Sequence, residues 1–200
     1  VNEEQAWVSQ AQHGDDQAFT QLVETYQKPV YNLCYRMLGE PESAEDAAQE
    51  TFLRAYQHLD RYDSKRPFAT WLLSIAAHYC IDRLRRRRFS TFSIDEEDDD
   101  SPAFEIPDVD APNPEREFVR REEKEKIHDI LDSLDATDRA AIVMRYWHDA
   151  SEAEIAESLG LTVSAVKSRL HRARLALGKR WEESSMQSTT QRRPHESPAF

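Results

Sequence analysis

Apolar residues recur along most of the chain at spacings of three and four, and no stretch sustains alternation with period two, so the pattern predicts helices and no strand. Within 17–38 they form one stripe: Phe19, Leu22, Val23, Tyr26, Val30, Leu33, Cys34 and Met37, closed by Gly39 and Pro41. A second helix, beginning near Glu42 or Ser43, turns Ala44, Ala47, Ala48, Thr51, Phe52, Ala55, Tyr56 and Leu59 inward. Its other face carries Glu45, Asp46, Gln49, Glu50 and Arg54. After a polar loop over 62–68, a third helix runs from about Ala69 through Trp71, Leu72, Ile75, Ala76, Tyr79 and Leu84. With a short leading helix over 3–13, these make a first bundle. Helices resume at about 116–134, 138–148, 151–159 and 162–181 and make a second, smaller one.

Charge divides the chain at the same places. Arg83 to Arg88 supplies five arginines, whereas 89–115 holds ten acids, no lysine and no arginine. Pro102, Pro107, Pro112 and Pro114 fall among those acids, a composition too poor in apolar area to offset the entropy of ordering. The expected organisation is therefore a bundle over 1–89, an acidic linker over 90–115, a second bundle over 116–182 and a disordered Ser/Thr/Gln/Pro-rich tail over 183–200. Net charge is -12, yet 161–181 carries Lys167, Arg169, Arg172, Arg174, Lys179 and Arg180 without one acid. Charges beyond a screening length of about 10 Å are largely hidden, so local clusters set contact energies and a polyanion partner survives the acidic total.

The N-terminus VNEEQAW has none of the marks of a signal peptide, and the longest apolar run, 71–81, is interrupted by Ser74 and His78. That is far short of the roughly 20 residues of a membrane span, so a soluble cytoplasmic protein is expected. Cys34 and Cys80, with no CxxC, read as reduced core thiols, and no metal or cofactor site is expected. No phosphate loop, zinc-protease motif or nucleophile constellation occurs, which argues against an enzyme.

The chemistry lies near the C-terminus. Ser151 and Glu154 form a capping box, Ile155 and Leu159 face inward, Ala156 permits close helix crossing, Gly160 makes the turn and Thr162 caps the next helix. That is a helix-turn-helix. With Val166, Leu170, Ala173 and Leu177 buried, Ser164, Lys167, Ser168, His171 and Arg172 point outward. Ser164, Lys167 and Ser168, with Arg172 next along, suit base edges; Arg169, Arg174, Lys179 and Arg180 suit phosphates.

The segment AEDAAQETFLRAYQHLDRYD, the loop SKRPF and then ATWLLSIAAHYCIDRLRRRR resemble conserved region 2 of bacterial sigma factors. EIAESLGLTVSAVKSRLHRAR resembles their region 4, and the absence of room for regions 1.1 and 3 points to the extracytoplasmic-function (group 4) subfamily. The resemblance covers most of 10–182. It implies that Asp46, Gln49, Glu50, Leu53 and Arg54 dock on the β′ clamp coiled coil of core RNA polymerase, and that region 4 meets the β flap. It implies further that Asp63, Ser64, Lys65, Arg66, Phe68, Trp71, Ser74, His78, Asp82, Arg83, Arg85 and Arg86 open and read the -10 element. Family members commonly carry Asn where this chain has His78, which bears on base preference. An anti-sigma factor is an implied partner. Trp71 also shares a stripe with Ile75, as a core residue would. The acidic linker suits either phosphate mimicry in a basic channel or a plain tether.

Two other readings fit parts of the pattern: a conventional helix-turn-helix regulator with a dimerising or sensing bundle, and an adaptor that mimics a sigma factor. A promoter reader loses about 1–3 kcal/mol of promoter affinity for each base contact removed by Lys167→Ala or Arg172→Ala, measured by promoter titration. An adaptor tolerates both substitutions.

Overall fold

The computed structural model describes residues 3–91 and 126–191, and every regular element among them is helical. The proline-rich acidic stretch 92–115, the expected helix start at 116 and the last nine residues lie outside the described residues. The first module comprises α1 (Glu3–Gln12), α2 (Asp16–Leu38), α3 (Pro41–Gln57), a 3-10 turn (Leu59–Arg61) and α4 (Phe68–Thr91). The second comprises α5 (residues 126–132), α6 (Ala136–Trp147), α7 (Glu152–Leu159) and α8 (Val163–Gln191).

Helix boundaries follow local chemistry. The Asp15 carboxylate accepts from the Gln17 and Ala18 N–H groups to start α2, and Gly39 ends it at φ 82, a left-handed conformation that only glycine adopts cheaply. α2 continues through Pro29, whose missing N–H leaves one internal bond unmade. α3 starts one or two residues before the expected point because Pro41 suits a first helical position, where no N–H is required. α4 continues past 89 to Thr91, two residues beyond the expected end of the first bundle. α8 continues past 182 to Gln191, where a disordered tail was expected; between 161 and 191 there is no proline, and Gly178 does not stop it.

In the first module Leu22, Val30, Leu33, Cys34, Met37, Ala44, Ala47, Leu72, Ala76 and Cys80 are all buried. The two thiols are free and fully enclosed, and Cys80, hydrogen-bonded to Cys34 and desolvated, is held well above the usual thiol range. The amide of Gln12 donates to the Leu59 and Tyr62 carbonyls and ties α1 to the 3-10 turn. In the second module Ile142, Val143, Met144, Ile155, Val166 and Leu170 form the core.

The modules touch: α6 lies against α2 and α4, and α7 against α4. The seam is apolar and polar together: the buried residues of the two modules form one apolar cluster, and polar contacts cross it as well. Arg139 of α6, only 5% exposed, donates through Nη1 to the Met37 carbonyl at 2.7 Å and pairs with Asp132 at 2.6 Å, so a cation satisfies an open carbonyl at the C-terminus of α2. Arg36 of α2 lies 4.8 Å over the Trp147 ring, and Tyr35 meets His128 edge-on. His128 Nδ1, Arg139 Nε and His148 Nε2 are buried without a hydrogen-bond partner.

His148 abuts Lys28, Pro29, Asn32 and Arg36 of α2, and burial first, then the Arg36 charge, push its pKa down to about 4, with Asp149 opposing. Undocked, it returns toward about 6.5. A pKa depressed on docking makes the docked state fully stable above about pH 6.5 and progressively weaker as pH falls toward about 4. Between pH 7.5 and 5.5 the docked fraction relative to the undocked one falls, by at most about tenfold from this group, since only burial against α2 couples to docking. Small-angle scattering across that range measures it, and His148→Gln shrinks the response to what the second seam histidine, His128, contributes, its pKa being lowered by burial as well.

Candidate nucleic-acid interface

On the second module the predicted helix-turn-helix is formed by α7 and α8. Ser151 Oγ accepts from the Glu154 N–H at 3.2 Å while the Glu154 carboxylate accepts from the Ser151 N–H at 2.8 Å, completing the capping box. Those bonds from Ser151 hold the Glu154 carboxyl below its usual range, with a smaller contribution from Thr70. Gly160 turns the chain at φ 64, and Thr162 Oγ1 accepts from the Ala165 N–H at 3.2 Å. Val166, Leu170 and Ala173 are buried, and Ser164, Lys167, Ser168, His171, Arg172 and Arg174 are exposed. One acid-free face at the start of a helix is thereby presented to solvent.

Arg169 differs from its neighbours. Its guanidinium donates to Asp138 Oδ1 at 2.6 Å, joining α8 to the first turn of α6 with both side chains mostly covered. Lys167 meets Glu152 only at 3.7 Å and is well exposed. Arg174 donates back to the Leu170 carbonyl.

On the first module, Asp63 accepts from the Lys65 N–H at 3.0 Å and shapes the loop that exposes Ser64, Lys65 and Arg66. Trp71 and Ser74 are half-buried along α4, His78 and Asp82 are exposed, and the Ser74 carbonyl lies 2.8 Å from His78 Nδ1. Phe68 does not belong to this surface. It is 2% exposed, packed among Tyr26, Tyr62 and Trp71 with ring centroids 5.5 to 5.6 Å away, so the expectation that it meets DNA is corrected: it is the core residue that seats the loop and the start of α4. Trp71 packs on the same cluster while keeping part of its surface.

The arginines divide. Arg66 pairs with Glu157 of α7 at 2.8 Å, and Arg85 donates to Thr137 of α6 at 3.3 Å. Arg83 reaches Ser43 at 3.1 Å and Asp46 at 3.8 Å on α3, and Arg86 is exposed. The outer face of α3 exposes Asp46 and Gln49, with Glu50 paired to Arg54 at 2.7 Å and Arg54 over the Tyr79 ring. Leu53 is 51% exposed and Tyr56 50%, so Tyr56, expected inside, instead extends this surface, its hydroxyl donating to Asp16 and its ring edge-on to Phe19.

The sequence profile of Sigma-70 region 2 matches residues 22–90 and that of Sigma-70 region 4 matches 124–177. The ECF RNA polymerase sigma factor SigW of Bacillus subtilis is 38% identical over 86% of this chain and 93% of its own length. The RNA polymerase sigma factor CnrH of Cupriavidus metallidurans is 35% identical over 84% and 89%. The solved structure of CnrH in complex with the cytosolic domain of CnrY superposes with a TM-score of 0.67 at 28% identity, covering 91% of this chain and 99% of that one. The sigma factor RpoE from Bartonella quintana, solved with the anti-sigma factor NepR, shares the fold at 20% identity and a TM-score of 0.64. This chain belongs to the extracytoplasmic-function subfamily of the sigma-70 family of RNA polymerase sigma factors. That membership decides against the conventional-regulator reading.

Arg169→Ala destabilises the second module by about 1–3 kcal/mol in denaturant unfolding, because Asp138 loses its charged donor in a mostly covered site. Lys167→Ala, removing a long, exposed pair, costs less than about 0.5 kcal/mol in the same measurement.

Proposed function

We propose that the modules divide promoter recognition between them while both are held on core RNA polymerase. α3 docks through Asp46, Gln49, Glu50, Leu53 and Arg54, with Tyr56 beside them, on the β′ clamp coiled coil. An apolar pair ringed by acids and an amide suits an amphipathic basic helix: Leu53 and Tyr56 contribute area, and the carboxylates contribute register and encounter rate. The second module lies near the β flap and reads the -35 duplex with Ser164, Lys167, Ser168 and Arg172, while His171 and Arg174 line the same groove and Arg169, held by Asp138, braces the helix behind it. The observation that carries this reading is the buried stripe Val166, Leu170 and Ala173, which turns every outward position at the start of α8 to one acid-free face.

The loop Asp63, Ser64, Lys65 and Arg66 and the stripe Trp71, Ser74, His78 and Asp82 capture the melted -10 strand, with Arg83, Arg85 and Arg86 beside its phosphates. No bond is made or broken by the protein. Opening is driven by capture of unpaired bases, each stacking or pocket contact offsetting part of an unstacking cost of a few kcal/mol. His78 presents Nε2 to solvent, since Nδ1 faces the Ser74 carbonyl, and so offers a base edge a single hydrogen-bonding atom where an amide would offer two.

No described helix is long and apolar enough to cross a membrane, and the chain works in the cytoplasm, where polymerase and promoter are. An anti-sigma factor restrains it there, by analogy with CnrH, which is solved in complex with a second protein, the cytosolic domain of CnrY.

Run-off transcription with core polymerase and a promoter library tests the reading. Discrete start sites with conserved -35 and -10 sequences are expected, and Leu53→Asp abolishes them while leaving duplex binding by α8 unchanged. Random initiation, or duplex-specific binding to palindromic half-sites without polymerase, contradicts it.

A further inference from the structure

The loop that exposes Ser64 and Lys65 is held from behind by the first helix of the chain. α1 ends at Gln12, ahead of the residues that match region 2, and is anchored on the bundle by Val8 and Ala11, both buried. The Gln12 amide nitrogen carries two hydrogens and uses both: it donates to the Leu59 carbonyl at 2.9 Å and to the Tyr62 carbonyl at 3.1 Å. Those carbonyls bracket the 3-10 turn, whose own closing bond runs from the Tyr62 N–H to the Leu59 carbonyl at 3.2 Å. One side chain thus clamps both ends of the turn that feeds the loop.

Beyond that clamp the loop is braced at each step. The Tyr62 hydroxyl donates across it to the Arg66 carbonyl. Inside, the Asp63 carbonyl accepts from the Arg66 N–H at 3.0 Å and the Asp63 carboxylate from the Lys65 N–H at 3.0 Å. At the exit Phe68 packs on Tyr26, whose hydroxyl donates to Glu4 of α1 at 2.6 Å. Burial first, then that bond, push the Tyr26 pKa well above the usual tyrosine range, so the hydroxyl keeps its proton. The Tyr62 ring also meets Trp71 at 5.1 Å, which couples the loop to the first turn of α4. α1 therefore grips the loop at both ends, while Ser64 and Lys65 between them stay exposed.

We propose that Gln12 and Tyr62 are positioning residues for promoter reading: α1, through the Gln12 amide, sets the height and register of the loop over 63–66 and with it the base discrimination of the -10 strand, without touching DNA. This role rests on the function proposed above. Recognition of a base edge needs its partners held to about 0.5 Å, whereas attraction of a phosphate to a lysine tolerates larger displacements. Loss of the clamp opens two carbonyls to water and frees the turn to pivot at Tyr62. Strand capture through the Lys65 charge then persists while discrimination between bases is lost.

Run-off transcription with core polymerase, on promoters that differ by one -10 base each, reads the effect. Gln12→Met keeps the length of the side chain and removes both donors, Gln12→Lys restores a donor at similar reach, and Tyr62→Phe removes only the hydroxyl. The native chain discriminates by about tenfold or more at the base that the loop reads. Gln12→Met and Tyr62→Phe lower that ratio to about threefold or less, Gln12→Lys returns it to within about twofold of the native value, and every chain binds core polymerase within about twofold of the native one. Undiminished discrimination in either Gln12→Met or Tyr62→Phe overturns the proposal. So does a loss that Gln12→Lys does not restore, or one matched by an equal loss of polymerase binding, which marks a merely structural role. A nitroxide on Ser64→Cys follows the loop without polymerase or DNA, since Cys34 and Cys80 are buried and stay unlabelled. Its spectrum narrows in Gln12→Met and broadens again in Gln12→Lys; an unchanged spectrum overturns the brace. Where the spectrum narrows yet no chain, the native one included, gives promoter-specific transcript, the brace stands and the proposed function fails.

Discussion

A guanidinium enclosed between two helical modules organises this molecule. Arg139 satisfies a carbonyl at the open end of α2 and an aspartate of its own module at once, so the chemistry of a helix terminus fixes α6 on the first bundle alongside the apolar cluster that the two modules share. α7 is carried in with α6, and its carboxylates come to rest on Arg66 and Thr70. Each bundle has its own outward face, and one apolar cluster runs through both.

The division of labour within each module follows from which helical positions the core claims. In α8 the stripe through Val166, Leu170 and Ala173 leaves an acid-free face, and Asp138 withdraws Arg169 from that face to brace the helix against α6. In the first module Phe68 is claimed by Tyr26, Tyr62 and Trp71, and that aromatic cluster anchors a loop whose own residues are polar. Precision in reading a base or a phosphate requires such support, since an exposed side chain on an unbraced loop loses its geometry to motion.

The helices were legible because periodicity, the Ser151–Glu154 capping box and Gly160 are local signals, and they account for α7 and for the start of α8 almost to the residue. The family motifs carried the rest of the assignment. What the sequence hid was non-local. Phe68 reads as the end of a polar loop until Tyr26, more than 40 positions away, is brought against it. Tyr56 continues an apolar stripe, yet only the start of α2, through Asp16 and Phe19, lies beside it and half of its surface stays exposed. Arg139 shares a helical face with Ala136, Ala140 and Val143, which was the available hint that a cation would be buried there. The persistence of α8 to Gln191 lacks a positive signal; composition suggested disorder, and an already nucleated helix extends through it.

A specificity subunit must join core polymerase directly. Analytical ultracentrifugation of the purified chain with RNA polymerase stripped of its own sigma factor, at low salt and without inhibitor, measures that directly. A one-to-one complex that is lost on Leu53→Asp is the result the account predicts, and sedimentation of the two components as separate species would contradict it.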